Sequence, residues 1–392
     1  MAKEGILSTN QLSLNRISKK MKKLILVAGA RPNFMKIAPL MHALKGNKTI
    51  QPMLVHTGQH YDISMSEQFF TELEIPAPDI NLEVGSASHA VQTARIMEGF
   101  EKVCLAIQPD FVLVVGDVNS TAACTMVAAK MDITTIHYEA GLRSNDRTMP
   151  EEINRLVTDA ITDVFLTTSA DADENLLKEG VDRSKIFMVG NLMIDTLLAH
   201  KEKALAKKAV YTLLNKDEQI AYGINFTEKK YAVMTFHRPA NVDDKNALSD
   251  LVQIWGAISE KIPLIFPVHP RTFKNIQLYG LENELKKFPR LYFIAPQGYL
   301  SFMQLVQQAL FVLTDSGGIQ EETSYLNIPC LTVRPNTERP ITVWEGSNKL
   351  IQKEAILDEV HVILDGKGKT GNIPRFWDGK TAERIVKIIE QL

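Results

Sequence analysis

At 392 residues the chain exceeds what one ordinary hydrophobic core supports, so two domains are expected. Hydrophobic content of 45% and charged content of 23% fit a soluble globular protein, and a formal net charge of −2 gives no support to a nucleic-acid or membrane-surface partner. Cys104, Cys124 and Cys330 stand far apart with no CxxC, which argues against a zinc site or a disulfide framework and for buried thiols in a cytoplasmic protein.

The chain opens on a polar stretch, "MAKEGILSTNQLSLNRISKK", without the apolar segment of a secretory signal, and reads as a mobile leader over 1–21. No apolar run reaches the roughly 18 residues that a bilayer span requires. Short β-branched runs then alternate with helical patterns, the mark of βαβ units and parallel sheets. Strands are predicted at 23–29, 51–58, 111–117, 133–139, 164–169 and 186–191. After a charged stretch at 201–230, read as a helix plus connector, more are predicted at 231–237, 263–269, 291–296, 310–316 and 329–334. The closing "FWDGKTAERIVKIIEQL" has Ile385, Ile388 and Ile389 on one face of an amphipathic helix. The fold expected is α/β, with two Rossmann-like domains facing across a cleft. The domains are placed at 22–200 and 201–375, with the hinge near 195–230 and the helix within 376–392 packing back on the first.

Nearly every predicted strand runs into Gly, Pro, His, Asp or Arg, which puts these residues on the ligand side of an open sheet. "TDSGGIQEE" (314–322) ends a strand at Asp315 and starts a helix through Gly317 and Gly318. Small residues there let backbone N–H groups approach a phosphate, although glycine can also serve the turn alone. "GARPNFMK" (29–36) sets Arg31 and Lys36 at a second strand-to-helix turn, suited to an anion or to simple pairing and solvation. His237 and His269 each close a strand and precede an arginine or Pro-Arg; no HExxH supports a metal, and none is expected. Asp117 in "VVGDVNSTAA" is a candidate N-cap. With Glu139 and Glu151 it also forms a set of three carboxylates at neighbouring strand ends, where mutual repulsion is expected to raise at least one pKa.

Taken in order, "GARPNFMKIAPL", "HTGQHYD", "GDVNST", "HYEAGLRS", "MPEEINR", "HRPANVD", "DSGGIQEE" and "TERP" resemble the non-hydrolysing UDP-N-acetylglucosamine 2-epimerases over roughly residues 22 to 390. The resemblance implies the glycosyltransferase-B type of fold and reversible conversion of UDP-GlcNAc to UDP-ManNAc, without NAD or metal. UDP leaves by anti-elimination, 2-acetamidoglucal forms, and UDP adds back as the proton returns to the other face of C2. It further implies catalytic roles for Asp117, Glu139, Glu151 and His237. UDP contacts fall to Arg31, Lys36, His237, Ser316, Gly317, Gly318 and Glu322, the last on the ribose. Arg143, Arg147 and Arg155 would counterbalance the carboxylates. A cytoplasmic homodimer joined through the first domain, serving cell-surface polysaccharide synthesis, is the implied context.

Relatives acting on UDP-2,3-diacetamido-2,3-dideoxy-glucuronic acid share this style of motif, and a glycosyltransferase of the same fold or a non-catalytic UDP-sugar sensor are the other readings. Many bacterial members carry His-Arg-Arg-Glu where this chain has His237-Arg238-Pro239-Ala240. The missing arginine implies that no activating UDP-GlcNAc is required, while Gln59 and His60 still match part of the activator region.

Overall fold

The computed structural model describes residues 21–58, 70–207, 209–214, 219–221 and 227–392. Residues 1–20 of the leader expected at 1–21, and the pair Gln59 and His60, lie outside the described residues. The first sheet is built from β1 (Lys22–Ala28), β2 (Ile50–His56), β3 (Ile80–Asn81), β4 (Phe111–Val115), β5 (Thr134–Tyr138), β6 (Val164–Thr167) and β7 (Ile186–Met188). Its strands are all parallel and ordered β3-β2-β1-β4-β5-β6-β7. Helices cover both faces, so β4 is apolar and buried throughout and β1 from Leu24 to Ala28.

β8 (Val210–Thr212) and β9 (Gln219–Ala221) form a small antiparallel pair. The second sheet contains β10 (Ala232–Thr235), β11 (Leu264–Pro267), β12 (Leu291–Ile294), β13 (Val312–Thr314), β14 (Cys330–Val333) and β15 (Asn348–Ile351). It is also parallel, in the order β12-β11-β10-β13-β14-β15. The two sheets therefore repeat one winding, and each reverses direction once. The reversal lies between β1 and β4 in the first sheet and between β10 and β13 in the second. Loops leaving the carboxyl ends of these strands diverge and open a crevice, the usual seat of a ligand.

Two expectations are corrected in detail. The stretch 201–230, expected to be a helix plus connector, holds the short strands β8 and β9, and its helix starts earlier, at Leu192–Leu205. β3 and β15 escape the sequence pattern because they are short edge strands; "NKLI" offers only two apolar residues.

The join between the two sheet units is packed. Helix Leu192–Leu205 lies against helix Arg31–Leu44 on one side and against helices Tyr299–Gln308 and Gly318–Leu326 on the other. One apolar cluster runs through it, from Leu24 and Ile37 to Leu197, Val306 and Ile319. The last helix, Thr381–Gln391, packs on Arg31–Leu44 and Leu192–Leu205, burying Ile385 and Ile389 with Ile388 partly covered. Trp377 precedes it, fully buried, and donates from Nε1 to the carbonyl of Thr168 at 3.1 Å. The chain thus ends on the unit in which it began.

Candidate active site

The two crevices face each other across a cavity of about 630 Å³, within the size range of small-molecule sites, roughly 300–1,000 Å³. The first unit lines it with Arg31, Lys36, Asp117, Glu151 and Arg155. The second contributes His237, Arg238, His269, Ser316, Gly317, Gly318, Glu321, Glu322, Glu338 and Arg339. All but one of the residues given a catalytic or UDP-binding role in the sequence line this cavity. The exception, Glu139, is buried directly behind Lys36 and Arg339.

The helix after β1 starts at Arg31 and is tied to both crevice strands by Asn33. Its Oδ1 accepts from the backbone N–H groups of Gly29 and Ala30 at 3.0 and 2.8 Å, and its Nδ2 donates to Val115 O at 3.1 Å. Lys36 is one turn in. It is buried and donates to Glu139 Oε2 at 2.6 Å, so it is not a solvated surface lysine. Burial lowers the pKa of Arg31, with the Glu72 carboxylate acting against it.

Gly116, after β4, has φ +70°, and a Cβ there would sit 3.3 Å from Lys36 Nζ and 3.4 Å from Glu139 Oε2. Glycine at this position leaves room for their ion pair. Asp117 is not the cap of helix Asn119–Lys130; that place belongs to Val118. Its Oδ2 instead accepts from Arg155 Nε and Nη2 at 3.1 and 2.6 Å.

Glu139 itself has φ +72°, a left-handed conformation uncommon for a residue with a Cβ and concentrated at functional sites. Burial pushes its carboxyl up, but the Lys36 ammonium and the Arg339 guanidinium outweigh this and hold it below the ordinary range. The expectation that carboxylate repulsion raises a pKa in the Asp117, Glu139 and Glu151 set is therefore overturned at Glu139, because two cations lie against it. The raised carboxyls are on the other wall. Burial pushes Glu322 up to about 8, opposed by the hydroxyl of Tyr299, which donates to Oε1 at 3.1 Å, and helped by the neighbouring Glu321. Glu321 is raised as well, first by burial, with Arg339 pulling the other way.

The charge crowded into "HYEAGLRSNDRTMPEEINR" divides into two jobs. Glu139, Glu151 and Arg155 meet at the cavity or directly behind it. Arg143 pairs away from it, with Asp159 at 2.7 Å and Glu179 at 2.6 Å, and Arg147 is exposed. Glu152 braces the loop by accepting from the N–H groups of Ser144 and Asn145, each at 3.0 Å. Of the three arginines expected to balance the site, only Arg155 is placed to do so.

In the second unit Asp315, directly after β13, is fully buried and accepts from the N–H groups of His237 and Arg238. His237 Nδ1 lies 3.1 Å from Asp315 Oδ1, which holds the ring at the cavity edge. Burial raises Asp315, but the His237 contact outweighs it and lowers its pKa. Helix Gly318–Leu326 starts without a capping side chain, so its first turn offers backbone donors and positive dipole charge to the cavity. Gly317 is needed for close approach: a Cβ there would come within 2.5 Å of Glu338 Oε1. Sequence reading gave no role to Glu321, Glu338, Arg339 or Tyr299. Glu338 and Arg339 lie in "TERP", and the doubled carboxylate of "IQEE" was the available signal for Glu321 beside Glu322.

The sequence profile of the UDP-N-acetylglucosamine 2-epimerase family matches residues 42–390. A UDP-N-acetylglucosamine 2-epimerase homolog of Methanococcus maripaludis is 41% identical over 94% of this chain and all of its own length. The UDP-2,3-diacetamido-2,3-dideoxy-D-glucuronate 2-epimerase of Pseudomonas aeruginosa is 34% identical over 94% of this chain and all of its own. The crystal structure of the Methanocaldococcus jannaschii UDP-GlcNAc 2-epimerase, in complex with UDP-GlcNAc and UDP, superposes with a TM-score of 0.83 at 39% identity, covering 94% of this chain and 100% of that one. With the motifs in order along the chain and the cavity at two matched crevices, the chain belongs to the UDP-N-acetylglucosamine 2-epimerase family.

Proposed function

We propose that this protein interconverts UDP-GlcNAc and UDP-ManNAc by eliminating UDP and adding it back. The observation that carries the reading is one cavity between two crevices, where Asp117 and Glu151 with Arg31, Lys36 and Arg155 from the first unit face His237, Arg238, Arg339 and the uncapped start of helix Gly318–Leu326 from the second. In the forward direction a carboxylate removes the C2 proton while the C1–O bond to UDP breaks on the opposite face. The electron pair of the C–H bond becomes the C1–C2 double bond of 2-acetamidoglucal, and UDP carries away the pair of the C1–O bond. A phosphate oxygen of UDP then attacks C1 again as a proton is delivered to C2 from the other side.

Asp117, Glu139 and Glu151 are the candidates for acid–base work on the two faces of C2, with His237 beside the diphosphate. Departing UDP gains charge, so preorganised donors lower the barrier by being in place beforehand. Arg31, Lys36, Ser316, Gly317, Gly318 and the first turn of helix Gly318–Leu326 fill that role in this reading, and Glu322 takes the ribose. The residues present require no cofactor for this chemistry. Units of 22–200 and 201–375 closing on the substrate, a homodimer joined through the first, and cytoplasmic supply of UDP-ManNAc to cell-surface polysaccharide complete the proposal on family grounds.

The test is incubation of UDP-GlcNAc with the protein in D₂O, without added NAD or metal, followed by proton NMR. Deuterium at C2 with a UDP-ManNAc signal is the expected result. No exchange and no new sugar rejects this substrate; exchange with the diacetamido-glucuronic acid sugar instead moves the assignment to that relative's substrate.

A further inference from the structure

Both oxygens of Glu139 are engaged by cations on different bodies. Oε2 is 2.6 Å from Lys36, which belongs to the same unit, and Oε1 is 3.5 Å from Nη2 of Arg339, which does not. Arg339 follows β14 and is anchored to the second unit alone. Its backbone N–H donates to Thr337 Oγ1 at 3.1 Å, and Thr337 in turn donates to Gln320 Oε1 at 2.9 Å. Its Nη1 donates to Glu338 Oε1 at 2.9 Å, and its Nε lies 3.0 Å from Glu321 Oε1, at ion-pair distance. Glu139 is anchored to the first unit alone, by its N–H to Leu166 O at 3.1 Å and by Lys36.

The Glu139–Arg339 separation is therefore a measure of how far the cleft is closed. Glu321 sits across the same join, its Oε1 accepting from Asn191 Nδ2 at 2.9 Å. Its Oε2 is buried without a hydrogen-bond partner.

We propose that Arg339 is a positioning residue that acts across the cleft: it holds the Glu139 carboxylate ionised and aimed only while the two units are together, so closure itself arms the group. The inference rests on the reading of Glu139 as an acid–base group in C2 epimerisation. Facing Glu139 are Lys36 from the first helix, Arg339 from the loop after β14, Glu321 from helix Gly318–Leu326, and His137 and Tyr138 from its own strand. Arg339 is the only cation in this group that moves with the second unit. Among these influences the direction is consistent: Arg339 lowers Glu139, while Glu139 and Glu321 raise Arg339 far above its ordinary value against burial. A cleft that opens removes one of the two cations and leaves a buried carboxylate less willing to ionise.

The experiment is the pH dependence of kcat/KM for epimerisation in the unaltered protein, Arg339→Gln and Arg339→Lys, with UDP affinity measured by calorimetry. Alongside, ¹³C-glutamate NMR titrates the Glu139 carboxyl with UDP present, assigned by difference against Glu139→Gln. Arg339→Gln is expected to move the acid limb and the Glu139 titration upward by roughly one unit or more, the scale of losing a nearby opposite charge. Arg339→Lys is expected to fall in between. If neither variant moves the limb or the titration, and KM and UDP affinity weaken instead, Arg339 is a diphosphate ligand and the proposal is overturned. Should Arg339→Gln fail to fold, Arg339→Lys decides by the same criterion. Absence of turnover in the unaltered protein rejects the activity but leaves the titration to judge the Arg339 effect.

Discussion

Glu139 combines three features that a structural residue seldom shares: φ of +72°, near-complete burial and an ion pair at 2.6 Å. Strain of this kind persists where the surroundings over-determine the conformation. Glu139→Gln is expected to cut turnover by roughly 10²-fold or more while leaving UDP affinity within a few-fold, because loss of an acid–base group costs about that much. Steady-state kinetics with calorimetry checks it, and unchanged turnover removes Glu139 from the chemistry. Glu322 behaves in the opposite way, with a carboxyl pushed from 4.5 up to about 8. A group raised on folding stabilises fully below its unfolded pKa and loses that contribution as pH rises through the folded one. The unliganded protein should therefore lose part of its thermal stability between about pH 4.5 and pH 8. Glu322→Gln should flatten that part of the profile, read by calorimetry at pH 5, 6.5 and 8.5. Asp117, Glu139, Glu151 and His237 were legible in the sequence because each closes an apolar strand or opens the next helix. Arg339 was not, since it stands 200 positions from Glu139 and only the fold brings them together.

At the scale of elements, the strand-to-helix turns do the positioning. Gly317 sits where a Cβ would come within 2.5 Å of Glu338 Oε1, and Glu338 holds Arg339. Gly317→Ala is expected to displace this corner and weaken UDP binding about tenfold or more, since the N-terminal donors of the helix can no longer approach an anion closely. Calorimetric titration with UDP measures it. The C-terminal helix makes a separate test. Ile385 is fully buried against the first unit, so Ile385→Ala should cost roughly 2–5 kcal/mol of stability, the usual range for such a deletion. Denaturant unfolding reads the loss. The amphipathic pattern of this helix was plain in the sequence. Which surface it covers was a matter of expectation there, because an apolar stripe specifies that it must be buried and not against what.

For the whole molecule, two parallel sheets with matched winding set their ligand-side edges against each other, and helix Leu192–Leu205 packs on helices of both units. Ligand bound between the units should draw them together. UDP at about a hundred times its Kd is expected to raise stability by about 2.7 kcal/mol, as binding to the native state alone requires. Small-angle scattering should show a smaller radius of gyration in the same solutions, and an unchanged radius argues against closure. The rate curve with UDP-ManNAc as the starting sugar should be hyperbolic without added UDP-GlcNAc, given Pro239 where many bacterial members have the second arginine. A sigmoidal curve defeats that expectation.

The sequence by itself determined the α/β class, the order of the two parallel units and the residues at the strand ends. Local alternation of apolar runs with helical patterns, and the residue types that stop a strand, are properties of neighbours in the chain. The tertiary structure decided the electrostatics. Whether Glu139 is raised or lowered depends on Lys36 and Arg339, whether Glu322 is raised depends on burial beside Tyr299, and Arg143 turned out to face Asp159 and Glu179. The reason is range: burial and charge act through a few ångströms of space, and the chain brings residues from opposite halves to that distance only after both sheets have formed.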